Sequence, residues 1–64
     1  MEFHLLVDRV RAEFREMPGM QLTPAQASRL LGIEPEACRS VIEALVAAAV
    51  LRRTSVGTIA LTDE

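Results

Sequence analysis

Sixty-four residues allow one small domain, and a chain of that size buries only about 60% of the surface it exposes when unfolded, so its stability is marginal. Cys38 is the lone cysteine, which excludes an intrachain disulfide, and with His4 as the single histidine a structural metal has too few soft ligands. Half of the residues are hydrophobic and 25% are charged, as in a globular core, while the net charge of −2 counts against a polyanionic partner unless the seven arginines are gathered on one surface.

No apolar run approaches the ~20 residues that span a bilayer. The N-terminal "MEFHLLVDRV" meets charge too early for a secretory signal. A cytoplasmic protein without a membrane anchor is expected.

In "EFHLLVDRVRAEFREM", Phe3, Leu6, Val7, Val10, Phe14 and Met17 share one stripe of a helix over about residues 2–17. Asp8, Arg9, Arg11, Glu13, Arg15 and Glu16 fill the other sides, and His4 sits at the boundary of the stripe. Leu5 and Ala12 lie roughly opposite it, an apolar spot on a face otherwise made of charges. Pro18 and Gly19 break the helix.

"QLTPAQASRLLG" opens extended and becomes a second helix. Thr23 is its N-cap, Pro24 its first residue, and Gln26 completes a T-x-x-Q capping box. Ala27, Leu30 and Leu31 point inward, and Gly32 ends the helix. "IEPEACRSVIEALVAAAVL" repeats the design, with Pro35 in the first turn. Cys38, Ile42, Leu45 and Ala49 keep the inner stripe, flanked by Val41 and Val46. Its outer face carries Glu36, Arg39, Ser40, Glu43, Ala44 and Ala47. "LRRTSVGTIALT" then turns to β character, a hairpin over about residues 51–62 with its turn at Gly57. A short strand over residues 20–22 can join it. Asp63 and Glu64 read as a frayed acidic end. The expected core is Phe3, Leu6, Val10, Phe14, Leu30, Cys38, Ile42, Leu45, Ile59 and Leu61.

No catalytic constellation is present: one His and one Cys exclude most acid–base and nucleophilic arrangements, and there is no glycine-rich phosphate loop. Cys38, on a core rung, reads as a buried thiol. The chain is expected not to be an enzyme, and no cofactor, metal or small-molecule ligand is indicated.

Helix, capped helix, three-residue turn, helix and hairpin follow one another in the order of the winged helix-turn-helix domain. "LTPAQASRLLGIEPEACRSVIEALVAAAVLRRT" resembles that domain of bacterial transcription regulators in its residues too. Shared features are the Thr-Pro opening, the small Ala27, Leu-Gly-Ile at the turn, the early proline of the third helix and the apolar ladder into "VLRR". The resemblance covers residues 20–62 and implies a mostly helical α+β fold, with the helix-turn-helix at about 23–49 and the hairpin as the wing. It also implies that the third helix enters the major groove, with Arg29, Glu36, Arg39, Ser40, Glu43, Arg52 and Arg53 as the DNA-facing set. The chain departs from the family pattern in two ways: glutamates replace hydroxyl or basic residues on the third helix, and Ala49 stands where glycine is frequent.

The glutamates have an explanation that needs no ligand. Glu34 and Glu36 lie at a helix N-terminus, where the macrodipole favours carboxylates by ~0.3–1 kcal/mol each. Arg39 is spaced to pair with Glu36 and with Glu43, at about 0.2–0.5 kcal/mol per pair. Arg52 and Arg53 are adjacent on a strand and point to opposite faces, so only one can meet a groove while the other lies over the core. Two functions follow from these residues. One is a small DNA-binding transcriptional regulator whose wing arginines touch the backbone. The other is a protein-interaction module, a homodimer or accessory subunit, using Leu5 and Ala12 or the strip Ala44, Ala47 and Ala48.

Overall fold

The computed structural model describes residues 2–62, so the expected acidic end at Asp63 and Glu64 lies outside the described residues. Three helices and a three-stranded antiparallel sheet pack around one core, a mixed α+β architecture. Among the described residues no helix is long and apolar enough to cross a membrane.

α1 (Phe3–Glu16) buries Val10 and Phe14 completely, and Leu6 and Val7 pack half-buried beside them. Phe3, expected in the core, is 46% exposed, and Met17 is also exposed. The stripe has the right phase, but its two ends reach past the layer beneath. The Met17 N–H on the Phe14 carbonyl and the Met20 N–H on the Met17 carbonyl then fold the chain back through Pro18 and Gly19.

β1 (Gln21–Leu22) leads into α2 (Pro24–Leu31), whose capping box forms as expected. The Gln26 N–H donates to Thr23 Oγ1 at 3.1 Å and the Thr23 N–H to Gln26 Oε1 at 2.9 Å. Ala27 and Leu31 are buried, but Leu30, also expected inside, is 62% exposed. Two turns of helix offer only a narrow inner arc, and Ser28 takes the remaining place on it. Its buried hydroxyl is satisfied by donating to the Ile33 carbonyl at 2.6 Å.

α3 (Pro35–Ala47) runs through the middle of the core, burying Cys38, Val41, Ile42 and Leu45. Ala49, expected on the same stripe, is exposed and outside the helix. α2 and α3 end alike. After α2 the Ile33 N–H reaches the Ser28 carbonyl, with Gly32 left-handed at φ 66°. After α3 the Val50 N–H reaches the Leu45 carbonyl, with Ala49 left-handed at φ 63°. Both are Schellman-type closures, one with glycine at the left-handed position and one without.

β2 (Leu51–Arg53) and β3 (Ile59–Leu61) form the expected hairpin, and β1 adds to the far side of β3, giving the order β1-β3-β2. The register sets Leu51 opposite Leu61, Arg52 opposite Ala60 and Arg53 opposite Ile59. Gly57, at φ 88°, donates its N–H to the Thr54 carbonyl and closes the turn. Leu51 and Ile59 are fully buried, whereas Leu6 and Leu61, expected in the core, are only half-buried against it. Ile33, Val41, Leu51 and Ala60 complete the buried set.

Candidate nucleic-acid interface

The outer face of α3 is open. Glu36, Arg39, Ser40, Glu43 and Ala47 are all exposed, as is Glu34 at the N-cap position. Ala44 turns partly inward, leaving Ala47 and Ala48 as the exposed part of the alanine strip. The helix therefore buries one side as the periodicity requires and presents the expected residues on the other.

The ion pairs expected around Arg39 do not form. Among the described residues the single salt bridge is Arg11 Nη2 to Asp8 Oδ1 at 3.2 Å, on the exposed side of α1. A solvated pair of long side chains gains too little to hold one geometry, so Arg39, Glu36 and Glu43 extend separately into solvent. Arg29, Arg52 and Arg53 are exposed as well. Six of the seven arginines thus remain outside any ion pair among the described residues, Arg9 and Arg15 on α1 and the other four on α2, α3 and β2.

A shallow open groove of about 280 Å³ lies between the first turns of α2 and α3, lined by Pro24, Ala25, Pro35, Glu36 and Arg39. Its floor is the two prolines and Ala25, and its rim carries one cation and one carboxylate. Ala25 and Arg29 are one turn apart on the outer side of α2, which places Arg29 on the groove side of that helix. The groove was not foreseen from the sequence. The signal available was proline at the first position of two successive helices, but only packing decides that the two turns lie side by side.

The sheet separates its two arginines as strand alternation requires. Arg53 is opposite the buried Ile59 and shares the core-facing side with Leu51, yet its side chain is exposed at the sheet edge. Arg52 shares the outer side with Ala60 and with Gln21 of β1. On the same hairpin the Thr54 hydroxyl donates to Thr58 Oγ1 at 2.6 Å and Thr58 Oγ1 donates on to Gln21 Oε1 at 3.1 Å. The Thr58 N–H in turn donates to Thr54 Oγ1 at 3.2 Å. This relay ties the hairpin turn to β1.

Cys38 is 1% exposed, and desolvation by burial pushes its thiol above the ordinary range, which keeps it protonated and unreactive. Among the described residues no cluster of three or more potential ligands could hold a metal ion. Set against family models, curated proteins and solved structures, the chain matches none, so the chemistry of this surface rests on its own residues.

Proposed function

We propose that this chain is a small winged helix-turn-helix DNA-binding protein, a transcriptional regulator whose hairpin arginines contact the phosphate backbone beside α3. The observation that carries this reading is the set of Arg29, Arg39, Arg52 and Arg53, all exposed and all outside the one ion pair among the described residues. An arginine free of carboxylates is available to phosphate, where charge-assisted, bidentate contacts supply affinity and orientation. The element order and the left-handed turn at Gly32 between α2 and α3 support the same reading.

Binding of this kind is led by charge. If Arg29, Arg39 and one of the two strand arginines meet phosphates, affinity falls by about 40-fold between 50 and 200 mM salt, from a slope of about −0.9 per contact. Fluorescence anisotropy with a mixed-sequence duplex measures this directly. Arg52→Ala with Arg53→Ala should weaken binding to every sequence and lower that slope by about a third. Glu36→Gln and Glu43→Gln should each tighten binding by removing repulsion near the groove. A duplex that fails to bind even at 50 mM salt refutes the proposal.

One feature favours a second reading. Glu34, Glu36 and Glu43 all stand exposed on the side of α3 that would approach the polyanion, which suits a protein-interaction module better than tight readout by that helix. Failure of all duplex binding would leave that reading.

A further inference from the structure

α1 has a solvent-facing side with three pairs of residues at the same spacing. Leu5, 56% exposed, and the exposed Ala12 are seven residues apart, nearly two full turns and so on one line of the helix. Asp8 and Arg15 have the same separation on one flank of that line, and Arg9 and Glu16 have it on the other. All four are exposed. Each flank therefore carries one acid and one base, in opposite order along the helix.

We infer that this face pairs with the same face of a second copy of the chain, the two α1 helices lying parallel about a two-fold axis along their length. Such an axis sets the Asp8 flank of one helix against the Arg9 flank of the other at equal height. Leu5 meets the partner's Leu5 and Ala12 meets the partner's Ala12, the small side chain allowing close approach. Asp8 meets the partner's Arg9, and Arg15 meets the partner's Glu16, each offset by one residue or about 1.5 Å along the axis. Symmetry doubles both contacts. Further out, Arg11 faces the partner's Glu13.

With its two-fold axis across the helices at Ala12, the antiparallel alternative also matches the inner charges, setting Asp8 against the partner's Arg15 and Arg9 against the partner's Glu16. It leaves Leu5, however, past the end of the partner's α1 (Phe3–Glu16). The same axis would set Arg11 beside the partner's Arg11 and Glu13 beside the partner's Glu13. Within one chain, Asp8 already accepts from Arg11 through Oδ1, which leaves Oδ2 for the partner's Arg9. The face of one 14-residue helix covers less than the roughly 1,200 Å² of a standard interface, so the dimer belongs to the weak, reversible class. Its contacts are exposed charges, and salt loosens it. The inference stands on α1 alone and needs no nucleic acid.

Sedimentation equilibrium on the full chain at low salt, up to on the order of 1 mM, tests it. The wild type should form a dimer that Arg15→Glu weakens at least ~10-fold, because two attractions become two repulsions. Arg15→Glu combined with Glu16→Arg restores opposite charges in the parallel arrangement and should recover affinity to within about threefold. The same pair of changes would set like charges together in an antiparallel dimer. Circular dichroism establishes that each variant keeps its helices, and Ala12→Glu, at an exposed position, supplies an independent disruption. A wild type that stays monomeric throughout overturns the inference and leaves the face to some other partner. A double variant no tighter than the single one overturns the parallel pairing.

Discussion

Replacing Ala49 with glycine should stabilise the fold. Ala49 sits at φ 63°, and the left-handed region costs an L-residue about 1–2 kcal/mol because Cβ crowds the following carbonyl. Glycine escapes that cost but loses about 0.5–1 kcal/mol more chain entropy on folding. The side chain is exposed, so little packing is lost, and the net gain is about 0.5–1 kcal/mol. For a domain of this size that raises the thermal midpoint by about 2–8 °C. Gly32 offers the mirror experiment. It occupies the same place after α2 at φ 66°, and an added Cβ there would meet no atom within 4 Å. Gly32→Ala therefore carries the backbone cost alone and should lower stability by a similar amount. The two sites lie in separate turns, so the double variant should return close to the wild type. Thermal and urea denaturation followed by circular dichroism read all three proteins. An unchanged or lower midpoint for Ala49→Gly would refute the strain at Ala49 and the likeness of the two helix ends.

Leu45→Ala removes a side chain only 2% exposed from the middle of α3 and should cost ~2–5 kcal/mol, enough to unfold much of the population; a loss under about 1 kcal/mol in urea would place the helix in the wrong phase. Ser28→Ala deletes the buried hydroxyl bound to the Ile33 carbonyl and should cost about 1 kcal/mol; an equally stable variant would show that the carbonyl finds water instead. Stability should also fall in alkali. The folded thiol of Cys38 ionises only above its ordinary range, so the unfolded state loses its proton first and stability declines as pH rises past about 8.5, by up to about 1.4 kcal/mol per unit until the folded thiol ionises too. The chain has neither lysine nor tyrosine, so a Cys38→Ala variant should lose this decline, and the same decline in both proteins would assign it elsewhere.

Much of this fold could be read from local signals because those signals are short-range physics. The Thr23–Gln26 capping box, Pro24 and Pro35 at helix starts, Gly32 at a helix end and Gly57 at the hairpin turn each satisfy a backbone requirement within a few residues. Helical spacing likewise set the phase of α1 and α3, so Val10, Phe14, Cys38, Ile42 and Leu45 are buried as expected. The exposed arginines and glutamates of the candidate interface were legible for the same reason, since they occupy the sides that the core does not need.

Tertiary structure decided where each apolar stripe stops and what lies beside it. Phe3 and Leu30 have core-like spacing, yet exposure depends on how far the neighbouring layer extends, and that length is set by other segments of the chain. Ser28, polar by composition, is buried because the turn after Gly32 returns the Ile33 carbonyl to its hydroxyl. The groove of Pro24, Ala25, Pro35, Glu36 and Arg39 exists only because α2 and α3 bring their first turns together. The separation of Arg39 from its neighbouring glutamates likewise escapes sequence spacing, because an exposed pair competes with water on nearly equal terms. The sequence by itself determined which segments become helix, turn and strand and which side of each is apolar, because those are properties of a few neighbouring residues. Only the packed chain decided which of those apolar residues are covered, because burial is a relation between segments far apart in sequence.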